Sequence, residues 1–157
     1  MAIGNEIVVS GNPKGVFLEG TVDGTPKPGT VMQINAQEPA NGRHDWTAFN
    51  ADADGDQRLI AVLNIDHLQG KISTDAYVDG DRCFLYVPAA GEEINVLVAN
   101  IAGTSDSFAI GDLLMVNDGD GKLIATTGSP ESEPFIVLET QSAITADTLI
   151  HCMYTGR

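Results

Sequence analysis

Apolar residues in this chain fall in short runs that tend to alternate with polar ones, and few stretches keep a three-and-four spacing for ten or more positions. Strands are therefore expected nearly everywhere, separated by glycine, proline, aspartate or asparagine. Ile7, Val8 and Val9 form a first apolar patch, followed by a breaker cluster at 10–15. Strands are expected at 16–22 and 30–34, with a turn region at 23–29 between them. Residues 35–56 are the least regular part and read as one long loop holding two aromatic residues, Trp46 and Phe49. The run 59–65 reads as a buried strand, and 66–71 as a loop or a single helical turn.

The clearest β pattern follows. The runs 83–87 and 94–98 flank 88–93 and predict a hairpin; 113–116 and 123–126 flank the glycine-bearing 117–122 and predict another. Strands at 135–139 and 148–154 complete a count of about nine, with 142–147 as a connecting loop. Three times a glycine and a small polar residue stand just before a strand: Gly29 and Thr30, Gly80 and Asp81, Gly111 and Asp112. Each reads as a tight turn that launches the strand, at a spacing too irregular for a repeat array. The expected organisation is an N-terminal arm at 1–15 and a single β domain at 16–157, in the all-β class, as a compact barrel or sandwich with short connections.

A chain of 157 residues suffices for one domain with its own core. Its 43% hydrophobic and 19% charged residues fit a folded protein, and the 17 glycines fit short strands and turns. The net charge of −14 repels phosphate backbones and anionic bilayers, so neither nucleic acid nor membrane is an expected partner. No apolar run reaches the length of a membrane span, and the start of the chain lacks a basic segment followed by an apolar one. Synthesis in the cytoplasm, without secretion by that route, is the expectation.

Candidate chemistry is sparse. Asp52, Asp54 and Asp56 match the first three ligand positions of a calcium loop, but Gln57 stands where glycine is needed and Leu63 where the bidentate glutamate is needed. Asp118 and Asp120 fail the same test. His44, His67 and His151 stand in no metal-ligand pattern, and His151 and Cys152, as strand neighbours, point to opposite faces. No nucleophile elbow or phosphate-binding glycine loop occurs. Glu92 and Glu93 read as solvated loop charges. Cys83 and Cys152 lie in apolar runs and read as buried free thiols, with a disulfide left open to geometry. No catalytic residue, metal or cofactor is expected. Trp46 and Phe49 have two readings, as anchors of the long loop on the barrel or as interface anchors.

The run Leu59 to Asp66, followed by Leu68, Gln69, Gly70 and Lys71, then Asp75, Ala76 and Tyr77, then Gly80, Asp81 and Arg82 and the strand ending Tyr86, Val87 and Pro88, resembles the head decoration, or cement, proteins of tailed bacteriophages. The likeness continues through Gly91, Glu92, Glu93 and the strand 94–98. It resumes at 108–114 and 118–123. It rests on the order and spacing of these pieces, since each alone is ordinary turn-and-strand chemistry. Residues 35–56 lie outside it.

The resemblance implies a β-barrel or β-tulip domain on the outer surface of an expanded icosahedral phage head. There it would clamp neighbouring major capsid subunits, commonly as a homotrimer, with a dimer as the alternative. In some relatives an N-terminal arm adds a strand to the capsid protein; Ile7, Val8 and Val9 are the residues here that could do so. The rival reading is an acidic β-sandwich binding module that recognises carbohydrate or a host surface through Trp46 and Phe49. A hydrolase on a β scaffold ranks last.

Overall fold

A computed structural model describes residues 6–9, 13–35, 43–50, 60–99, 106–117, 119–125 and 134–156. The described residues form twelve strands and a single 3-10 turn at His67–Gln69. The first five strands are β1 (Val16–Val22), β2 (Val31–Ile34), β3 (Asp45–Ala48), β4 (Ala61–Leu63) and β5 (Arg82–Val87). The next seven are β6 (Glu93–Val98), β7 (Asp106–Phe108), β8 (Leu113–Val116), β9 (Leu123–Ala125), β10 (Phe135–Val137), β11 (Gln141–Ile144) and β12 (Thr148–Tyr154). The all-β barrel class expected from the strand pattern is what the chain adopts.

The strands close two rings, not one. The first runs β1-β3-β2-β4-β5 and the second β10-β12-β6-β9-β8, with β7 and β11 forming a separate ribbon. Three local expectations change as a result. The runs 83–87 and 94–98 are no hairpin, because β5 pairs with β1 and β4 while β6 pairs with β12 and β9. The expected loop 35–56 contains β3, which lies parallel to β1 and antiparallel to β2. The expected connection 142–147 begins as β11. The hairpin of β8 and β9 stands as expected.

The two rings have the same topology. In chain order, β1, β2, β3, β4 and β5 take the places of β6, β8, β9, β10 and β12, and each ring has one parallel step, at β1–β3 and at β6–β9. The registers agree as well. Trp46 lies opposite Val22 and Ile34, and Leu123 lies opposite Val98 and Val116. Met32 faces Ala61 as Leu114 faces Phe135, and Leu85 faces Leu18 as Cys152 faces Ile94. Bonds outside the ladders repeat too: Asn64 donates to Phe84 and Leu138 to His151. The irregular glycine spacing thus conceals a duplicated fold.

Those glycines have a shared mechanism. Turns at 27–30, 78–81, 89–92 and 109–112 each place a glycine at the third position with φ between 80° and 94°, the value a type II turn requires and other side chains resist. Each glycine N–H donates across to another strand: Gly29 to Leu63, Gly80 to Val22, Gly91 to Tyr154 and Gly111 to Val137, at 2.7–2.9 Å. The N–H of that same strand residue donates back to the fourth turn residue. In three turns the fourth residue is acidic and its carboxylate also accepts from the first: Asp81 from Val78, Glu92 from Ala89 and Asp112 from Ala109. The turn therefore launches one strand while closing the end of another.

Val22, Met32, Trp46, Ala61, Leu63, Cys83 and Leu85 fill the first ring. A second apolar cluster fills the other ring around Ile94, Val96, Val98, Leu114, Leu123 and Phe135. It also takes in Val31, Val62 and Tyr86, the alternate face of β2, β4 and β5. The rings thus share an apolar seam. It is reinforced by backbone bonds from Leu97 to Gly29, Val31 to Gly121 and Gly119 to Phe49.

Candidate interaction surfaces

The N-terminal segment lies against the second ring. Val8 bridges to Ile94, the Val9 N–H donates to the Glu93 carbonyl, and the Asn95 N–H donates to the Ile7 carbonyl. The Ile7 side chain is buried in the shared apolar cluster, while Val8 and Val9 stay half-buried. The β-strand character expected of these residues is thus engaged within the chain itself.

A second fastening holds residues 14 and 15. The Glu92 carboxylate is buried and accepts from the Tyr86 hydroxyl at 2.7 Å, from the Ala89 N–H at 2.6 Å and from the Lys14 N–H. The Gly15 N–H donates in turn to the Tyr86 hydroxyl oxygen at 2.9 Å. The expectation that Glu92 is a solvated loop charge is overturned: the fourth position of its turn folds the side chain inward. Burial pushes the Glu92 carboxyl up, but the hydrogen bonds from Tyr86, Lys14 and Ala89 outweigh it and hold the group below its ordinary value. Burial and the hydrogen bond to Glu92 push the Tyr86 hydroxyl up to about 12.

Glu92→Ala leaves those donors without their acceptor and is expected to cost about 1–3 kcal/mol at neutral pH. Because the folded carboxyl is depressed, its stabilisation is complete above the unfolded value and disappears as pH falls through the folded one. Chemical denaturation of wild type and variant at descending pH should therefore converge in acid. A difference that persists there would assign the loss to packing.

Beyond this fastening, Val16 and Phe17 open β1 as exposed apolar residues, with the Phe17 ring 4.7 Å from that of Tyr86. A further apolar group stands on the connection 64–81. Its frame is closely bonded: Asp66 caps the 3-10 turn through Leu68 and Gln69 at 2.9 and 3.1 Å. Lys71 pairs with Asp81 at 2.9 Å and lies 4.4 Å from the centre of the Tyr77 ring. The buried Tyr77 hydroxyl donates to the Asn64 carbonyl at 2.7 Å. The Lys71 hydrogen bond, then the Val78 N–H, hold the Asp81 carboxyl below its ordinary value. This frame presents Leu68, 81% exposed, together with Ile72 and Val78. Sequence reading passed over them, although apolar residues in a turn-rich segment, where polar ones are usual, were the available signal.

Trp46 is 1% exposed and fills the first ring, so in this fold it offers no surface to a partner. Phe49 is half-buried against the shared cluster. Cys83 and Cys152 are buried free thiols, and burial pushes the Cys83 thiol up to about 12. Asp52, Asp54, Asp56 and Asp118 lie outside the described residues, among which no group of three or more metal-ligating side chains forms. His151 is buried on β12, 3.0 Å from the Glu93 carboxylate.

No protein-family model and no curated protein matches this sequence. Among solved structures, the chain is similar to the head fiber gp8.5 N base of bacteriophage phi29, at 10% identity and a TM-score of 0.54. The match covers 90% of this chain and 95% of that one. At that identity the correspondence lies in the fold: this chain has the all-β architecture of a phage head-fiber base over nearly the full length of both proteins.

Proposed function

We propose that the protein is a structural component of a bacteriophage virion, seated on the outside of the expanded head, where it clamps neighbouring major capsid subunits. The observation that carries this reading is the near end-to-end match in fold with a protein of a phage head. Clamping requires surfaces that bind without moving, and two rings joined by an apolar seam suit that demand. Leu68, Ile72 and Val78 on their bonded frame, with Val16, Phe17 and Ile110, are the large apolar side chains among the described residues exposed to bury area on a partner. We place the N-terminal contribution at Val8 and Val9, which keep part of their surface. Donating this strand to a capsid subunit would require it first to leave β6. Three chains gathered at a three-fold position would add their weak contacts together, and linkage of that kind raises avidity roughly a hundredfold or more.

The test is co-sedimentation of the purified chain with mature heads that lack it, followed by heating of the decorated heads. Saturable binding and a higher rupture temperature are expected. Leu68→Asp should leave the fold intact and weaken binding by about tenfold or more, the effect of losing one central anchor. Failure to sediment with heads ends the reading. Binding without any gain in rupture temperature keeps the location and removes the clamp. Sedimentation of the free chain distinguishes a trimer from a dimer.

A further inference from the structure

We propose that the groove where the first ring meets β6 and β12 is a binding site for a neutral saccharide of one or two rings. This inference is independent of head binding.

The groove arises from the register of one strand pair. Asn95 lies opposite His151, and Leu97 opposite Leu149. All four project from the outer face of the second ring, since the alternate residues Ile94, Val96, Ile150 and Cys152 form its core. In an isolated barrel such a face would meet water. Here the connections of the first ring cover it with Lys27, Ser73 and Thr74, and the cover is incomplete: a cavity of about 290 Å³ remains. A second cavity of about 390 Å³ adjoins it and shares Lys27, Leu97 and Asp147.

Three of the lining polar residues are largely buried: Ser73 is 6% exposed, Asn95 4% and His151 8%. Their bonding within the chain is incomplete. Asn95 donates its amide to the Glu6 carbonyl, and His151 Nε2 meets Glu93. Among the described residues the Ser73 hydroxyl, the Asn95 Oδ1 and the His151 Nδ1 have no protein partner. Among the described residues the one enclosed side-chain polar atom without a partner is Trp46 Nε1, so these three atoms reach the water of the groove, which ligand hydroxyls could displace.

The remaining lining selects the ligand class. Leu97 and Leu149 give an apolar floor for the C–H face of a pyranose, while the amide, imidazole and hydroxyl meet its oxygens from the sides. Glu139 and Asp147 stand at the rim, with Glu93 behind His151. Against these carboxylates stand Lys27 and a Lys122 already paired with Asp147 at 2.8 Å. The excess of negative charge disfavours an anionic ligand.

Saturation-transfer NMR on the full chain would test this with glucose, galactose, N-acetylglucosamine and their disaccharides, beside glucuronic and sialic acids. Bacterial envelope polysaccharide runs as a separate arm, so that attachment to a surface glycan is told apart from binding of a small sugar. Neutral sugars should bind with millimolar affinity and the acids more weakly. Ser73→Ala should weaken binding by about three- to tenfold, the loss of one hydrogen bond. Ser73→Leu should fill the cavity and abolish binding while leaving the thermal transition and the co-sedimentation with heads unchanged. The proposal is overturned if neutral sugars give no signal at millimolar concentration, showing that water alone fills the groove. Binding that survives Ser73→Leu, or that prefers the acids, overturns it equally.

Discussion

Trp46→Ala should lower the midpoint of thermal unfolding by roughly 10 °C, the consequence of losing about 3–5 kcal/mol in a chain of this size. Trp46 is the largest side chain inside the first ring, where β1, β2 and β3 meet around it. Its removal leaves a void that Val22, Met32, Leu63 and Leu85 cannot collapse to fill, because each is fixed by its own ladder. Circular dichroism on heating reads the effect directly. If the variant kept wild-type stability and lost only partner binding, Trp46 would be an interface residue and its placement in the ring would be wrong.

The second large effect follows from the duplication. Gly20 lies opposite Cys83 on β1, and a Cβ there would lie 2.6 Å from both the His44 carbonyl oxygen and Trp46 Nε1. The position is a glycine because the indole occupies the space its side chain would need. At the matching places of the second ring stand Val96 and Leu123. One ring therefore divides between two aliphatic residues the volume that the other gives to a single tryptophan.

Gly20→Val alone should be severely destabilising, by about 3 kcal/mol or more, through overpacking. Trp46→Leu alone should cost about 2–4 kcal/mol through the cavity it opens. Combined, they reproduce the filling of the second ring, and the loss should fall short of the sum by at least ~1 kcal/mol. The rescue is partial, since the His44 carbonyl is backbone and cannot yield as a side chain can. Additive losses in a double-mutant cycle by urea denaturation would show that the two positions do not share space.

How much of this was legible beforehand depended on the distance over which the cause acts. Val16–Val22 and Leu113–Val116 were readable because alternation and flanking breakers are local. The β5–β6 hairpin failed because two apolar runs around a loop look alike whether the strands pair or enter different rings. The parallel steps β1–β3 and β6–β9 join segments with one strand between them in the first case and two in the second, and leave no local trace. The duplication was hidden by unequal connections: Leu18 matches Ile94 while Leu85 matches Cys152, so no constant period survives. Glu92 could have been read better. Its turn repeats the spacing of those ending in Asp81 and Asp112, an acid directly after the glycine. The groove was foreshadowed only by Asn95 and His151 as polar residues within apolar runs, which marks an outer face but cannot say what covers it.

Joining two like rings through one polypeptide also changes how their seam responds to dilution. Separate halves would meet by collision and part again whenever the solution thinned. A tether keeps each half at an effective millimolar concentration around the other, whatever the volume outside. Val31, Val62 and Tyr86 therefore stay against the neighbouring core however far the solution is diluted.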